Sequence, residues 1–386
     1  MSGGAYIVAA RRSPVGRMGG ALRDLPVEAL AAPVLRAVVE DAGLDPAGID
    51  EVMLGNAAGP GGNVARLSLL QAGLPLDVPG VTIDRQCGSG LEAVNLAAAL
   101  IASGAADCVL AGGVESTSTA PWRAERPARP GGLPRFYGRA RFAPDAIGDP
   151  EMGVAAENVA RACGIDRARQ DAYALASHAK AVAAQDAGRF DREIVPLPTG
   201  GGLVHRDECP RRDTSLEKLA RLPAAFVPGG TVTAGNSCPL NDGAAIVAVV
   251  SARRWAALGR PPALRVRATA AAGVDPNLLG LGPVPAVERL LRRSGVERGA
   301  INLVEFNEAF AAQVLASLDR LGLPESRVNR GGGALALGHP FGASGAILTV
   351  RLFSEMLDPK ANAALGLATL GIGGGLGVAT LVERVA

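Results

Sequence analysis

The chain runs twice through one order of elements, and this repeat limits what it can fold into more than any other feature. In the first third, Tyr6–Ala9 is predicted as a strand, Val27–Ala42 as a helix closed by Gly43, and Glu51–Leu54 as a strand ending at the polar turn Gly55-Asn56. Val81–Asp84 is a further strand. Leu91–Ala102 follows with apolar residues at 91, 94, 98 and 101, a helical period, and Cys108–Ala111 is a buried strand beyond Gly104. In the last third, Leu303–Phe306 is a strand ending at Asn307, and Ala309–Leu321 is a helix with Phe310, Val314, Leu318 and Leu321 on one face. A glycine-rich turn then precedes helix Ala346–Met356, and Leu367–Leu370 and Val378–Val382 close as a pair of strands. Such alternation is the pattern of a layered α/β domain. Its recurrence implies a duplicated unit.

Between the copies the pattern breaks. Pro121, Pro127, Pro130, Pro134 and Pro144 interrupt any regular element over 117–150, among Arg123, Arg126, Arg129, Arg135, Arg139 and Arg141. Helices are predicted at Met152–Cys163 and Arg167–Ala187, and Ala245–Val250 returns as a strand. The expected division is a first half made of 1–116 and 241–262, an inserted loop domain over 117–240, and a second half over 263–386.

Composition narrows the chemistry. With 51 glycines and 3% aromatic residues, the core must be built from Ala, Val, Leu and Ile with close backbone approaches. A net charge of +2 supplies no basic field for nucleic acid. The arginines of 123–141 fit a solvated loop, a subunit contact or a site for phosphates. Leu96–Val114 has the length of a membrane span, but Gly104 and Asp107 split it. Neither a membrane nor a nucleic-acid partner is expected. The five cysteines (87, 108, 163, 209, 238) are odd in number and show no CxxC spacing, which points to a reducing cytoplasm. GxxxxGK[ST] is absent, Gly371–Gly377 does not fit GxGxxG, and no HExxH-like spacing offers a metal site.

Three segments carry candidate chemistry. Cys87, between a strand and a helix and bracketed by Gly88 and Gly90, lies in the field of a helix N-terminus that favours thiolate; a buried inert cysteine is the alternative. His339, one of three histidines, sits in a turn with six nearby glycines, held out of the helical region by Pro340. It reads as a base beside a thiol, or as a structural histidine. Asn307, at a strand end, can orient a water or an imidazole, or simply cap a turn.

Cys87-Gly-Ser-Gly-Leu, Asn307-Glu-Ala-Phe-Ala, Gly338-His-Pro-x-Gly-x-Ser-Gly and Thr231-Val-Thr-Ala-Gly-Asn occur in the order and spacing of the thiolase family. The chain resembles that family from Ser13-Pro14-Val15-Gly16-Arg17 to its final strands. The resemblance implies a duplicated five-layer α-β-α-β-α fold with an inserted loop domain, a coenzyme A thioester as substrate with no tightly bound cofactor, and a homodimer or homotetramer. It implies that Cys87 is the nucleophile, His339 its base, and the N–H groups of Cys87 and Gly373 one oxyanion hole. A second hole would be formed by His339 with a water held by Asn307. Met152, Arg211, Cys238, Ala309 and Phe310 fall where the family contacts CoA or its pantetheine arm; many relatives have serine at the position of Cys238.

Gly371 departs from the family, which carries there a second cysteine that moves the α-proton. Acylation of Cys87 would not need that thiol. Three readings follow: an acyltransferase whose acceptor needs no α-proton removed, an ordinary thiolase in which Cys238 or a water replaces the lost base, or an acyl-CoA-binding subunit without turnover.

Overall fold

The structure is a computed structural model that describes residues 4–385. The nine main strands are β1 (Ala5–Arg12), β2 (Glu51–Gly55), β3 (Gly80–Ile83), β4 (Cys108–Ser116), β5 (Asn241–Ser251), β6 (Ala263–Gly273), β7 (Leu303–Phe306), β8 (Leu365–Ile372) and β9 (Leu376–Val385). The main helices are α1 (Val27–Asp41), α2 (Val64–Gln71), α3 (Ser89–Ser103), α4 (Met152–Cys163), α5 (Arg167–Asp186), α6 (Pro283–Ser294), α7 (Ala311–Leu321) and α8 (Phe341–Met356).

The strands form one sheet in the order β7-β8-β9-β6-β1-β5-β4-β2-β3, with Gly16–Arg17 pairing off β5. Its two arms repeat a single topology. In one arm β3, β2 and β4 are parallel, and β5 and β1 complete it antiparallel. In the other, β7 is parallel to β8, and β9 and β6 follow antiparallel, while Val304 bridges Val328 in parallel where β3 stands in the first arm. The arms join edge to edge where Ala5, Tyr6 and Ile7 of β1 face Val266, Arg265 and Leu264 of β6. Register shifts at Ile7/Ala9 and Val266/Ala268 flank this seam, and bulges of this kind bend and twist strands.

Both arms pack on the same central helices, α3 and α8, through a core that includes Leu91, Val94, Ala97, Ala343, Ala346 and Val350. The outer faces are covered by α1 and α2 on one arm and by α6 and α7 on the other. The result is the five-layer α-β-α-β-α arrangement.

Small residues set the spacing of the central layer. A Cβ on Gly90 would lie 2.6 Å from the Gly342 carbonyl oxygen, and one on Gly345 would lie 2.4 Å from the Leu91 nitrogen. The first turns of α3 and α8 therefore touch backbone to backbone. This contact brings together the two loops that precede these helices.

Most predicted elements appear within a few residues of their expected bounds, and Met152–Cys163 and Leu303–Phe306 match at both ends. The helix expected from Ala309 begins at Ala311, because Phe310 is still extended (φ −145°, ψ 141°). Residues 117–150 are mostly irregular but contain a short hairpin, Arg123–Glu125 against Arg135–Tyr137. Helix α6 is an addition to the expected elements. Its Pro283 resembles a breaker but stands in the first helical turn, where a missing N–H costs nothing.

Candidate active site

Cys87 is reached through a tight turn. Gln86 is a non-glycine residue at φ 43°, a conformation that L side chains rarely adopt. The turn is tied by Asp84 Oδ1 accepting from the Gln86 N–H at 2.8 Å, and by Ser89 Oγ, which accepts from the Arg85 N–H at 2.8 Å and donates to the Gln86 carbonyl at 2.6 Å. Cys87 is half-buried, and the backbone N–H groups of Gly373 and of Cys87 itself act on its sulfur in favour of the thiolate.

These donors do not make it a resting thiolate. Burial dominates and pushes the Cys87 thiol up to about 12, with smaller upward pushes from Glu115 and Asp84, and the two N–H groups recover only part. The field of the helix N-terminus, expected to favour thiolate, is opposed by desolvation of the sulfur. A neutral thiol needs a base.

His339 is the candidate for that base, in the loop before α8, whose first turn touches that of α3. It is 2% exposed, and burial lowers its imidazole to about 4, so it is neutral. Asn241 Oδ1 accepts from its backbone N–H at 2.8 Å. Ser344 Oγ spends its single hydrogen on the Pro340 carbonyl at 2.9 Å, so at 2.6 Å from His339 Nδ1 it accepts. Nδ1 therefore carries the proton and Nε2 bears the lone pair. Asn307 Nδ2 approaches that Nε2 at 3.5 Å.

The Gly371 loop closes the site from the second half. Gly374 and Gly375 are at φ +83° and +79° and so favour glycine, while a Cβ on Gly373 would meet the Phe142 ring at 2.7 Å and displace it. Gly371 is under neither constraint. A Cβ there would meet Gln313 Nε2 at 3.2 Å, the Leu279 carbonyl oxygen at 3.5 Å and Pro283 Cδ at 3.5 Å, close to ordinary contact. At 371 the backbone and its neighbours would admit a Cβ with a shift of a few tenths of an ångström at Gln313.

A groove of about 340 Å3 runs past the site, lined by Arg17, His178, Arg211, Phe226 and Cys238 among others. Cys238 donates its N–H to the Ala309 carbonyl at 3.0 Å, and Phe226 stacks edge-on with Phe310 at 6.0 Å. Burial first, and Cys87 next, push the Cys238 thiol up. Arg211, Cys238, Ala309 and Phe310 are thus drawn to one region. Met152 opens α4 and does not line the groove; its neighbour Gly153 lies against the Phe226 ring. His178 reads in sequence as part of an Ala-rich helix, yet it reaches the groove wall, where its Nδ1 accepts from the Arg211 N–H at 3.2 Å. Nothing in the spacing of His178 and Arg211 signals that contact.

Comparison with known proteins agrees with this geometry. The thiolase N-terminal domain matches residues 5–253 and the thiolase C-terminal domain residues 260–384. A putative acetyl-CoA C-acetyltransferase of Staphylococcus haemolyticus is 46% identical over 382 residues, covering 98% of each chain. A probable acetyl-CoA acetyltransferase of Escherichia coli is 47% identical over 392 residues, again covering 98% of each. The crystal structure of the Bacillus anthracis acetyl-CoA acetyltransferase superposes with a TM-score of 0.92 at 38% identity, covering 100% of this chain and 99% of that one. Human mitochondrial 3-ketoacyl-CoA thiolase gives a TM-score of 0.93 at 34% identity, covering 99% of both. With both domains matched end to end and the fold shared, the chain belongs to the thiolase family of acyltransferases.

Proposed function

We propose that this protein takes an acyl group from a coenzyme A thioester onto Cys87 and passes it to an acceptor that needs no α-proton removed. The observation that carries the first half is the backbone contact between the first turns of α3 and α8, which brings together the loops that carry Cys87 and His339, with Asn307 Nδ2 at 3.5 Å from His339 Nε2. His339 Nε2 takes the thiol proton as sulfur attacks the thioester carbonyl. The N–H groups of Cys87 and Gly373 then hold the oxygen of the tetrahedral intermediate, an effect of about 3–4 kcal/mol per donor in comparable sites. The departing CoA thiolate takes the proton back from His339. Arg17 and Arg211 at the groove support binding of the CoA phosphates, with Cys238 and its neighbours Ala309 and Phe310 along the pantetheine arm; Met152, off the groove, is carried only by the family resemblance.

The second half rests on Gly371. Without a side chain there, enolate chemistry lacks its usual proton carrier. An amine, alcohol or thiol acceptor avoids the difficulty, as does a malonyl-type donor whose decarboxylation creates the nucleophile. A second reading, ordinary acetyl-CoA C-acetyltransferase chemistry, is favoured by Cys238, a groove-lining thiol whose ionisation Cys87 disfavours. A homodimer or homotetramer in a reducing cytoplasm belongs to both readings, supported by family resemblance and by five free cysteines.

Intact mass after mixing with a panel of acyl-CoA and malonyl-CoA thioesters is the test. An adduct absent from Cys87→Ala supports the acyl-enzyme, and no adduct with any donor overturns it in favour of a binding subunit. Acetoacetyl-CoA cleavage that disappears in Cys238→Ser would move the second step to ordinary thiolase chemistry.

A further inference from the structure

Behind the Asn307–His339 pair lies a polar cavity that the chemistry above does not use. Arg12, Glu305, Asn307, Ser344 and Arg351 line it, together with glycine backbone and a few aliphatic side chains. None of these five residues is more than 3% exposed. About 20 Å3 is open to a water-sized sphere; a single water needs roughly 10–15 Å3.

Among the described residues, two polar groups at its wall have no protein partner. Arg351 Nε is buried and unbonded, while its other nitrogens are committed to Glu193 and Glu355. Among the described residues the Glu305 carboxyl, 3% exposed, has neither a hydrogen bond nor an ion pair. Arg12 is fully engaged with Glu193 and Asp207. Ser344 Oγ accepts from His339 and donates to Pro340, and keeps a lone pair. A buried polar group left unmatched costs about 1–3 kcal/mol, so a fold with two facing one small cavity needs something to join them.

Glu305 is suited to such a junction. Burial raises its carboxyl well above the usual range; Glu355, Glu193 and Glu308 push the same way, and Arg351 opposes them. A neutral carboxyl offers one O–H donor and one free acceptor oxygen. Glu305 lies on β7 two residues before Asn307, so the two side chains leave on one face of the sheet.

We propose that the cavity holds one ordered water joining Glu305, Arg351 and Ser344, and that Glu305 is thereby a positioning residue for the Asn307–His339 pair. The water accepts from Arg351 Nε–H, exchanges a hydrogen bond with Glu305 and donates to the spare lone pair of Ser344. Three such bonds are typical of buried water. They hold the Ser344 hydroxyl toward Pro340, which keeps the proton on His339 Nδ1 and leaves Nε2 bare. What His339 then does rests on the function proposed above; the water itself does not.

Two measurements test this. A crystal structure of the full chain at a resolution that shows ordered solvent should place one water within hydrogen-bond reach of Glu305, Arg351 and Ser344; an empty cavity, or Glu305 moved into direct contact with Arg351, overturns the proposal. The second is the rate of Cys87 alkylation by iodoacetamide against pH, read with the melting temperature. It needs no acyl donor or acceptor, so failure of the acyl-transfer reading leaves it intact. Glu305→Gln keeps a donor and an acceptor and should stay within about threefold of the parent, while Glu305→Leu should react about ten- to a hundredfold more slowly at an unchanged melting temperature. Equal rates for the parent and Glu305→Leu, or a Glu305→Gln protein slowed as much as Glu305→Leu, would sink it. Should Glu305→Leu not fold, the solvent density and Glu305→Gln decide.

Discussion

The two central helices begin in the same way and are put to opposite uses. Cys87 stands two residues before the first residue of α3, and His339 two residues before the first residue of α8. At α8 the incoming residue is pinned at three points, by Asn241 on its backbone, Ser344 on Nδ1 and Asn307 near Nε2. At α3 the bonds hold the turn, and among the described residues no side chain bonds the sulfur. A duplicated frame has thus produced a rigidly held imidazole on one side and, on the other, the thiol proposed above as nucleophile. The energetic burdens are alike, however. Burial works against the charged form of both groups, so the resting site holds a neutral thiol beside a neutral imidazole.

Removing either partner tests that division most severely. Cys87→Ala should abolish covalent labelling by acyl-CoA, and His339→Ala should slow it about 10²- to 10⁴-fold with the melting temperature little changed, both read by intact mass over time. A His339→Ala protein labelled at the parent rate would mean that the thiol is activated without the imidazole. Next comes a gain. Gly371→Cys should fold, because a Cβ fits there, and should raise acetoacetyl-CoA cleavage by about 10²- to 10⁴-fold over the parent. Unchanged cleavage in a folded Gly371→Cys protein would show that the missing thiol is not what limits the second step.

The histidine's depressed value carries a pH signature. The unfolded chain protonates His339 near 6.5 and the folded one near 4, so the unfolded state binds more protons between these values. Stability should therefore be complete above about pH 6.5 and fall by about 3 kcal/mol from this group as pH drops toward 4. Cys87 alkylation should hold down to about pH 5 and fail through about 4. Loss of alkylation centred near 6.5 would mean an ordinary solvated imidazole. The smallest effect concerns the contact between the first turns of α3 and α8. Gly345→Ala places a Cβ against the Leu91 nitrogen and should cost about 1–3 kcal/mol in chemical denaturation, lowering alkylation alongside. A neutral result would show that α3 and α8 have room to separate.

Much of this is legible in the sequence, for reasons that are local. Apolar periodicity marks α3 and α7, terminal glycines mark their ends, and Gly104 and Gly322 do sit in the left-handed conformation that closes each helix. The motif residues Cys87, Asn307 and His339 can be named because short turns hold them. What stays hidden depends on distant partners. The roles of Ser344 and Asn241 exist only once the turn around His339 is folded, and His178 meets Arg211 through chain that shares no motif. The protonation of Cys87 is hidden for the same reason. A helix N-terminus can be seen in sequence, but the depth to which a sulfur is buried cannot.

The seam between the arms has a consequence for how the chain is made. Strand β1 lies between β5 and β6, so apart from the bridge of Arg12 to Ile194 it has no strand partner until residues beyond Asn241 have been synthesised. Its apolar run waits as an open edge while the first half, the insertion and the start of the second half are translated. Closure of the sheet is therefore a late event of high contact order, and late closure of an apolar edge is the step most exposed to aggregation. The amino-terminal strand acts as the final latch of the molecule, a part made first and seated last.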